Sequence, residues 1–326
     1  MRIALDAQGT DQAPASEIAG AIQALNERDD LTIILVGDEA AIRSELAHHD
    51  QASADRMEIV HAPERILPSE APASAVRRRP DSSIVKGVRL QKDKTADAFV
   101  SAGSTGAVMA ASLILLRPLP GVARPAIGTL LPTSRAPTLM LDSGANVDCK
   151  PQHLLEFGRL GTIYAQDLMG VEEPRVALLN IGEEPEKGDE LAVEAHRLLT
   201  ESRINFVGNV EGRDIIGGAC DVLVCDGFVG NVLLKFYESV AEFIIGLLGR
   251  EMDRVGAQLE VKEVFRVLDY SEYGGAPLLG VNGVCIICHG SSPPKAIRNA
   301  IEVATQAVES QMVKHIAGEL AQPKEA

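Results

Sequence analysis

Short apolar runs alternate along the chain with stretches in which apolar residues recur every three or four positions. The runs at 2–7, 31–37, 57–62, 96–102, 126–131, 138–142, 175–181, 205–210, 221–225 and 284–288 are rich in Val, Ile and Leu, and predict strands. Between them, 15–26, 39–47, 83–91, 106–116, 152–168, 189–200, 231–252 and 293–316 carry the helical period. Val176-Ala177-Leu178-Leu179-Asn180-Ile181 lacks polar alternation, which suits a strand covered on both faces by crossover helices. The expected architecture is α/β, a largely parallel sheet with helices on both faces. It spans 1–326 as a single unit in which a division into two lobes stays open.

The helix predicted at 231–252 is too apolar for an ordinary surface. At 100° per residue Lys235, Glu238, Ser239, Glu242 and Arg250 share an arc of about 120°, and apolar side chains take most of the rest. Such a helix must bury on two sides. Core packing, a second copy, or a tip at 244–248 dipping into a membrane surface are the choices.

Composition narrows the function. With 31 Lys plus Arg against 46 Asp plus Glu, the formal charge is 31 − 46 = −15, which argues against a nucleic-acid partner. Seven Phe, four Tyr and no Trp are too few for base-stacking platforms. Five cysteines, all in or beside apolar runs, do not indicate a disulfide framework. Cys285 and Cys288 have C-x-x-C spacing but no second pair, and read as strand rather than metal or redox chemistry. No basic-then-apolar leader opens the chain, and no apolar run approaches the ~20 residues that span a bilayer. A cytoplasmic location is expected, with membrane-surface contact left open.

In a parallel sheet ligands gather where strands stop and helices begin. Three such junctions are small and hydroxyl-rich: Gly103, Ser104, Thr105 and Gly106; Asp226 through Gly230 to Asn231; and His289, Gly290, Ser291 and Ser292. Helix-start amides and hydroxyls there can hold an anion, though each loop can equally be a plain helix cap. No P-loop, dinucleotide fingerprint or G-x-S-x-G elbow is present. Asp6, Asp11, Asp142 and Asp148 follow strands without a recognised metal spacing; turn capping is the commoner role, and no metal or cofactor is expected.

The opening Asp6-Ala7-Gln8-Gly9-Thr10-Asp11-Gln12-Ala13-Pro14 resembles the D-A-M-G-G-D-x-A-P of the PlsX family of acyl-acyl-carrier-protein:phosphate acyltransferases. The likeness continues in order through Ala75-Val76-Arg77-Arg78-Arg79, Leu141-Asp142-Ser143-Gly144-Ala145-Asn146, Leu179-Asn180-Ile181-Gly182-Glu183-Glu184, Asp226-Gly227-Phe228-Val229-Gly230-Asn231, Tyr270-Ser271-Glu272-Tyr273-Gly274-Gly275 and His289-Gly290-Ser291-Ser292. Gln8, Thr10, Gln12 and Ser104 depart from the family pattern.

The resemblance implies a fold similar to phosphotransacetylases and isopropylmalate dehydrogenases. It implies transfer of a long-chain acyl group from acyl carrier protein to inorganic phosphate, giving an acyl phosphate for a membrane glycerol-phosphate acyltransferase. It also implies a homodimer, which favours a dimer interface for a helical segment at about 231–268. Phosphate is then the nucleophile, which accounts for the missing attack residue. Asp142 and Asn146 join the three loops as candidate phosphate or substrate positions. Lys187, between a predicted strand and helix, would neutralise phosphate or the oxyanion, or be a solvated loop lysine. Asn231 would donate to the carbonyl, or cap the helix that starts there. Arg77, Arg78, Arg79, Lys86, Arg89 and Lys92 lie in a segment, 77–94, of charge 7 − 2 = +5. They would steer an acidic carrier or form a solvated helix face. Two rival readings remain: a phosphotransacetylase acting on acyl-coenzyme A, and a non-catalytic membrane-associated scaffold.

Overall fold

A computed structural model describes residues 1–49, 55–255 and 274–320, with side chains of the long helix described as far as Arg250. The end of the expected dimerisation segment at 256–268, and residues 270–273 of the tyrosine-rich motif, lie outside the described residues.

Among the described residues one eleven-stranded sheet organises the fold, in the order β3-β2-β1-β4-β11-β10-β5-β6-β9-β7-β8. The strands are β1 (Arg2–Asp6), β2 (Thr32–Gly37), β3 (Met57–His61), β4 (Ala98–Ser101), β5 (Ala126–Leu131), β6 (Thr138–Leu141), β7 (Val176–Leu179), β8 (Phe206–Val210), β9 (Val222–Val224), β10 (Ala276–Leu279) and β11 (Val284–Ile287). Strands β3, β2, β1, β4 and β11 are parallel to one another, as are β6, β9, β7 and β8. Between the two groups, β10 pairs antiparallel with both β11 and β5, and β5 antiparallel with β6. The groups therefore point in opposite directions.

Helices cover both faces. One layer holds α1 (Ala15–Glu27), α2 (Glu39–Leu46), α6 (Pro151–Met169), α7 (Glu190–Thr200), α10 (Pro294–Glu309) and α11 (Met312–Leu320). The other holds α3 (Pro72–Arg78), α4 (Ser83–Lys92), α5 (Thr105–Leu115), α8 (Gly212–Ile215) and α9 (Gly227–Val255). Strand alternation feeds both: Ile3 and Leu5 enter the first core and Ala4 the second. Helix ends follow local chemistry, with Ser82, Ser104 and Asp189 each accepting from a first-turn amide and Gly170 ending α6 at φ 69°.

Four details depart from the sequence reading. Strand β10, a short Pro-containing stretch, and helices α3 and α8 give too little period to be seen. The last long helix is two, broken at Gln311 with φ 56°. The long helix begins at Gly227, not Asn231, so the 227–231 stretch is its first turn rather than a loop. Asn231 is therefore no cap.

That helix start rests directly on the turn after β6. A Cβ at Gly227 would stand 2.6 Å from Asp142 Oδ2, and one at Gly230 would collide with the Asp142 carbonyl oxygen. Gly230→Ala is expected to destabilise the chain by about 3 kcal/mol, because the obstacle is backbone and cannot rotate away. Thermal unfolding followed by circular dichroism measures it, and a midpoint equal to the parent's would contradict the packing.

Candidate active site

Between α9 and the sheet lies a cavity of about 710 Å³. Its long wall is apolar, built from Ile127, Leu130 and Leu131 of β5, Met109 of α5, and Leu234, Ala241 and Ile245 of α9. Polar loops close on it from both parallel groups. Gly103, Thr105 and Gly106 come from the β4–α5 junction, and His289, Gly290, Ser291 and Ser292 from β11–α10. Ser143 and Gly144 come from the turn after β6, with Asn231 beside Gly144. As the first residues of α5, Thr105 and Gly106 have no carbonyl one turn below to donate to, so their amides suit an anion.

A buried carboxylate fixes the Gly144 side. Asp142 is fully buried at the end of β6, where Oδ1 accepts from the amides of Ile127 (2.9 Å) and Ala145 (3.2 Å). Oδ2 accepts from the amide (2.6 Å) and the side chain (3.0 Å) of Asn146. Asn146 also donates to Pro125 O, and its own carbonyl receives the Gly227 amide at 2.7 Å. Burial pushes the Asp142 carboxyl above its ordinary value, against the pull of these donors.

A second acidic group underlies the other loops. Asp6 accepts from Ser101 Oγ at 2.7 Å, and Ser101 Oγ accepts the Gly103 amide at 3.0 Å. Buried Glu17 accepts both the amide (2.7 Å) and the hydroxyl (2.9 Å) of Thr10. Beyond Thr10, the Asp11 amide donates to Gly290 O at 2.7 Å. Burial raises both carboxyls. Thr10 is thus matched by Glu17, and Ser104 works as the α5 cap. Gln12 Oε1 accepts from Ser16, while Gln8 donates to Ala62 O and leaves its own Oε1 buried with no partner among the described residues.

The expected substrate positions thus divide. Gly103, Thr105, Gly106, His289, Gly290, Ser291, Ser292 and Asn231 meet at the cavity. Ser104, Asp142 and Asn146 stand behind it as scaffold, and Gly230 is pressed against Asp142. Asp226 accepts from the amides of Phe228 (2.8 Å) and Val229 (3.0 Å), so its own carboxylate occupies the start of α9. Lys187 is exposed on the β7–α7 loop, outside the cavity lining. Of the basic residues, Arg79 pairs with Glu70 and Lys86 with Asp81, while Arg77, Arg78, Arg89 and Lys92 form no ion pair among the described residues.

Sequence reasoning passed over Ser143, Gly144, Lys235, Tyr237 and Glu238. One signal was available: Glu238 lies seven residues after Asn231, on the same helix face. The opposite face of α9 carries Val232, Phe236, Val240, Phe243 and Leu247, all exposed and about 180° from the cavity side. The two-sided apolar helix therefore has one side over the cavity. No helix among the described residues is long and apolar enough to cross a membrane.

Residues 1–315 match the family described as "Fatty acid synthesis protein". A "Phosphate acyltransferase" of Pelotomaculum thermopropionicum is 50% identical, covering 97% of this chain and 94% of the relative. Another, of Heliobacterium modesticaldum, is 50% identical over 98% and 99%. In fold, the chain is similar to the EutD phosphotransacetylase of Staphylococcus aureus (TM-score 0.63, 18% identity, 94% of each chain). A phosphotransacetylase of Streptococcus pyogenes is alike to the same degree (TM-score 0.64, 20% identity, 95% and 94%).

Asp142→Asn is expected to cost about 1–3 kcal/mol at neutral pH, since a carboxamide NH₂ must face donors that now meet an acceptor. The sign with pH follows from the raised carboxyl. The folded parent binds that proton more readily than the unfolded chain, so it gains relative stability as pH falls through the folded value towards 3.8. Denaturant titrations of both proteins should show the gap widening on acidification; a gap that shrinks would contradict the assignment.

Proposed function

Because the chain belongs to the family of fatty acid synthesis proteins, we propose that it carries a long-chain fatty acyl group from the phosphopantetheine thioester of acyl carrier protein to inorganic phosphate, releasing acyl phosphate. It is an acyltransferase, and its half-identical relatives are named for acyl transfer to phosphate. The observation that carries the finer reading is the cavity itself: one long apolar wall, fit for an acyl chain, ends at glycine, serine and threonine loops fit for an anion. Cys288 lies on that wall, but burial pushes its thiol up to about 12, so it does not supply a thiolate to be acylated. Phosphate then attacks the thioester directly, and the protein's task is orientation and oxyanion stabilisation.

In this mechanism the helix-start amides of Thr105 and Gly106, with the hydroxyls of Ser291 and Ser292, hold phosphate. Asn231 donates to the thioester carbonyl as it becomes an oxyanion. Lys187 brings positive charge from the neighbouring loop, since β7 pairs in parallel with β9 and their carboxyl ends lie side by side. Arg77, Arg78, Arg89 and Lys92 steer the acidic carrier. A second copy covers the outward stripe of α9 in a homodimer, and a membrane glycerol-phosphate acyltransferase consumes the product.

Purified protein, acyl-acyl carrier protein and phosphate should yield hydroxamate-trappable acyl phosphate. No product, or product only from acyl-coenzyme A, would overturn the donor assignment. Asn231→Ala is expected to cut turnover by about 10² with the fold intact, the scale for one oxyanion donor. Lys187→Ala, outside the cavity lining, should cut it less; parent-like rates in both variants at saturating phosphate would remove these roles. Reversing charge at Arg89 and Lys92 should raise KM for acyl carrier protein and flatten its dependence on salt, leaving KM for phosphate unchanged.

A further inference from the structure

An alkyl thiolate leaves more readily when an acid delivers a proton to its sulfur. The titratable side chains on the cavity wall, among the described residues, are Lys235, Tyr237, Glu238, Glu242, Cys288 and His289. Tyr237 donates its hydroxyl to Pro132 O at 2.7 Å, and Lys235 gives its ammonium to Glu238 at 2.8 Å. Cys288, with its thiol pushed up to about 12, is too weak an acid. Glu242 lies one turn beyond Glu238, farther along α9 from Asn231. That leaves the imidazole. His289 sits at the end of β11 with a half-exposed side chain, and Nε2 is 3.3 Å from Glu238 Oε1. Glu238 projects from the same face of α9 as Asn231, so one helix sets both the proposed carbonyl donor and the partner of the histidine.

Resting on the acyl-transfer reading above, we propose that His289, oriented by Glu238, is the acid that protonates the departing thiolate. The step balances without another reactant. A phosphate oxygen forms the new C–O bond and the C–S bond breaks. The imidazolium gives its proton to sulfur, and it regains one from the phosphate hydroxyl, which is more acidic once the phosphate is acylated. Net, the proton of hydrogen phosphate ends on the thiol. Glu238 stabilises the imidazolium between those transfers: burial raises its carboxyl, but bonds from His289 and Lys235 outweigh that and hold it below the ordinary value. Among the described residues, the charged groups that share the cavity wall with the imidazole are Lys235, Glu238 and Glu242 of α9, and Asp11 lies beside Gly290 of its own loop.

The test uses the full chain with acyl-acyl carrier protein and phosphate. His289→Gln should lower kcat about 10²-fold or more, with both KM values within threefold and an unchanged unfolding midpoint. The parent's kcat should fall as pH rises through imidazolium ionisation, and His289→Gln should lose that fall. Glu238→Gln should lower kcat while leaving both KM values within threefold, because the ring loses the carboxylate that orients it. A kcat within threefold of the parent, or loss confined to KM for phosphate, would show that His289 only binds substrate and overturn the proposal. Absence of acyl phosphate from the parent protein itself would instead remove the acyl-transfer reading on which it stands.

Discussion

The Asp142 carboxylate, sealed at the end of β6 among four donor hydrogens, is the contact on which the site's geometry depends. A parallel sheet offers its ligand loops at one end only, and here the two parallel groups run in opposite senses. Loops from β4 and β11 would not meet residues from β6 and β9 unless something crossed between them. Helix α9 makes that crossing, and its course is set where Gly227 and Gly230 press against Asp142 and Asn146. The carboxylate holds the turn, the turn seats the helix, and the helix brings Asn231 and Glu238 over β5 to the loops of the other group. The carboxylate buries its charge at an energetic cost that its hydrogen bonds offset.

The cavity is poor in free positive charge. Lys235 is its one lysine among the described residues, and it is committed to Glu238, in a protein of charge −15. In the proposed reaction phosphate is held mainly by amides and hydroxyls rather than by a cationic clamp. Such dipoles hold a ground-state anion modestly and do most where charge grows during reaction, which places binding energy in the transition state rather than in the resting complex.

Much of this was legible in the residues. The strand runs gave all but β10: most are buried along their length and write an uninterrupted apolar signal, and the half-exposed edge strands β3 and β8 still carry enough branched and aromatic residues to be seen. The three small-residue junctions were visible as anion loops; two of them line the cavity, and of the third only Asn231 does. The third misled: a stretch of small residues after a strand reads the same whether its amides stay open or its own Asp226 occupies them. Asp142 and Asn146 could be picked out but not placed, since whether a carboxylate faces a ligand or its own backbone depends on contacts across the sheet. Lys187 shows the same limit from the other side. A lysine between strand and helix says nothing of which neighbouring loop shares its cavity. The Thr10–Glu17 pair was hidden because neither residue is informative without the other.

The long helix has consequences for how this chain can vary. One side of α9, with Lys235, Glu238 and Glu242 on it, faces the cavity, and the opposite side carries the row from Val232 to Leu247. An ordinary surface helix keeps a solvent side on which substitutions drift freely. Here almost no such side exists, so a change made for the outer row also shifts the roof of the cavity, and the reverse. Sequence change along this helix should come slowly and in matched pairs, while α2 or α7, each with a plain solvent side, drifts on its own.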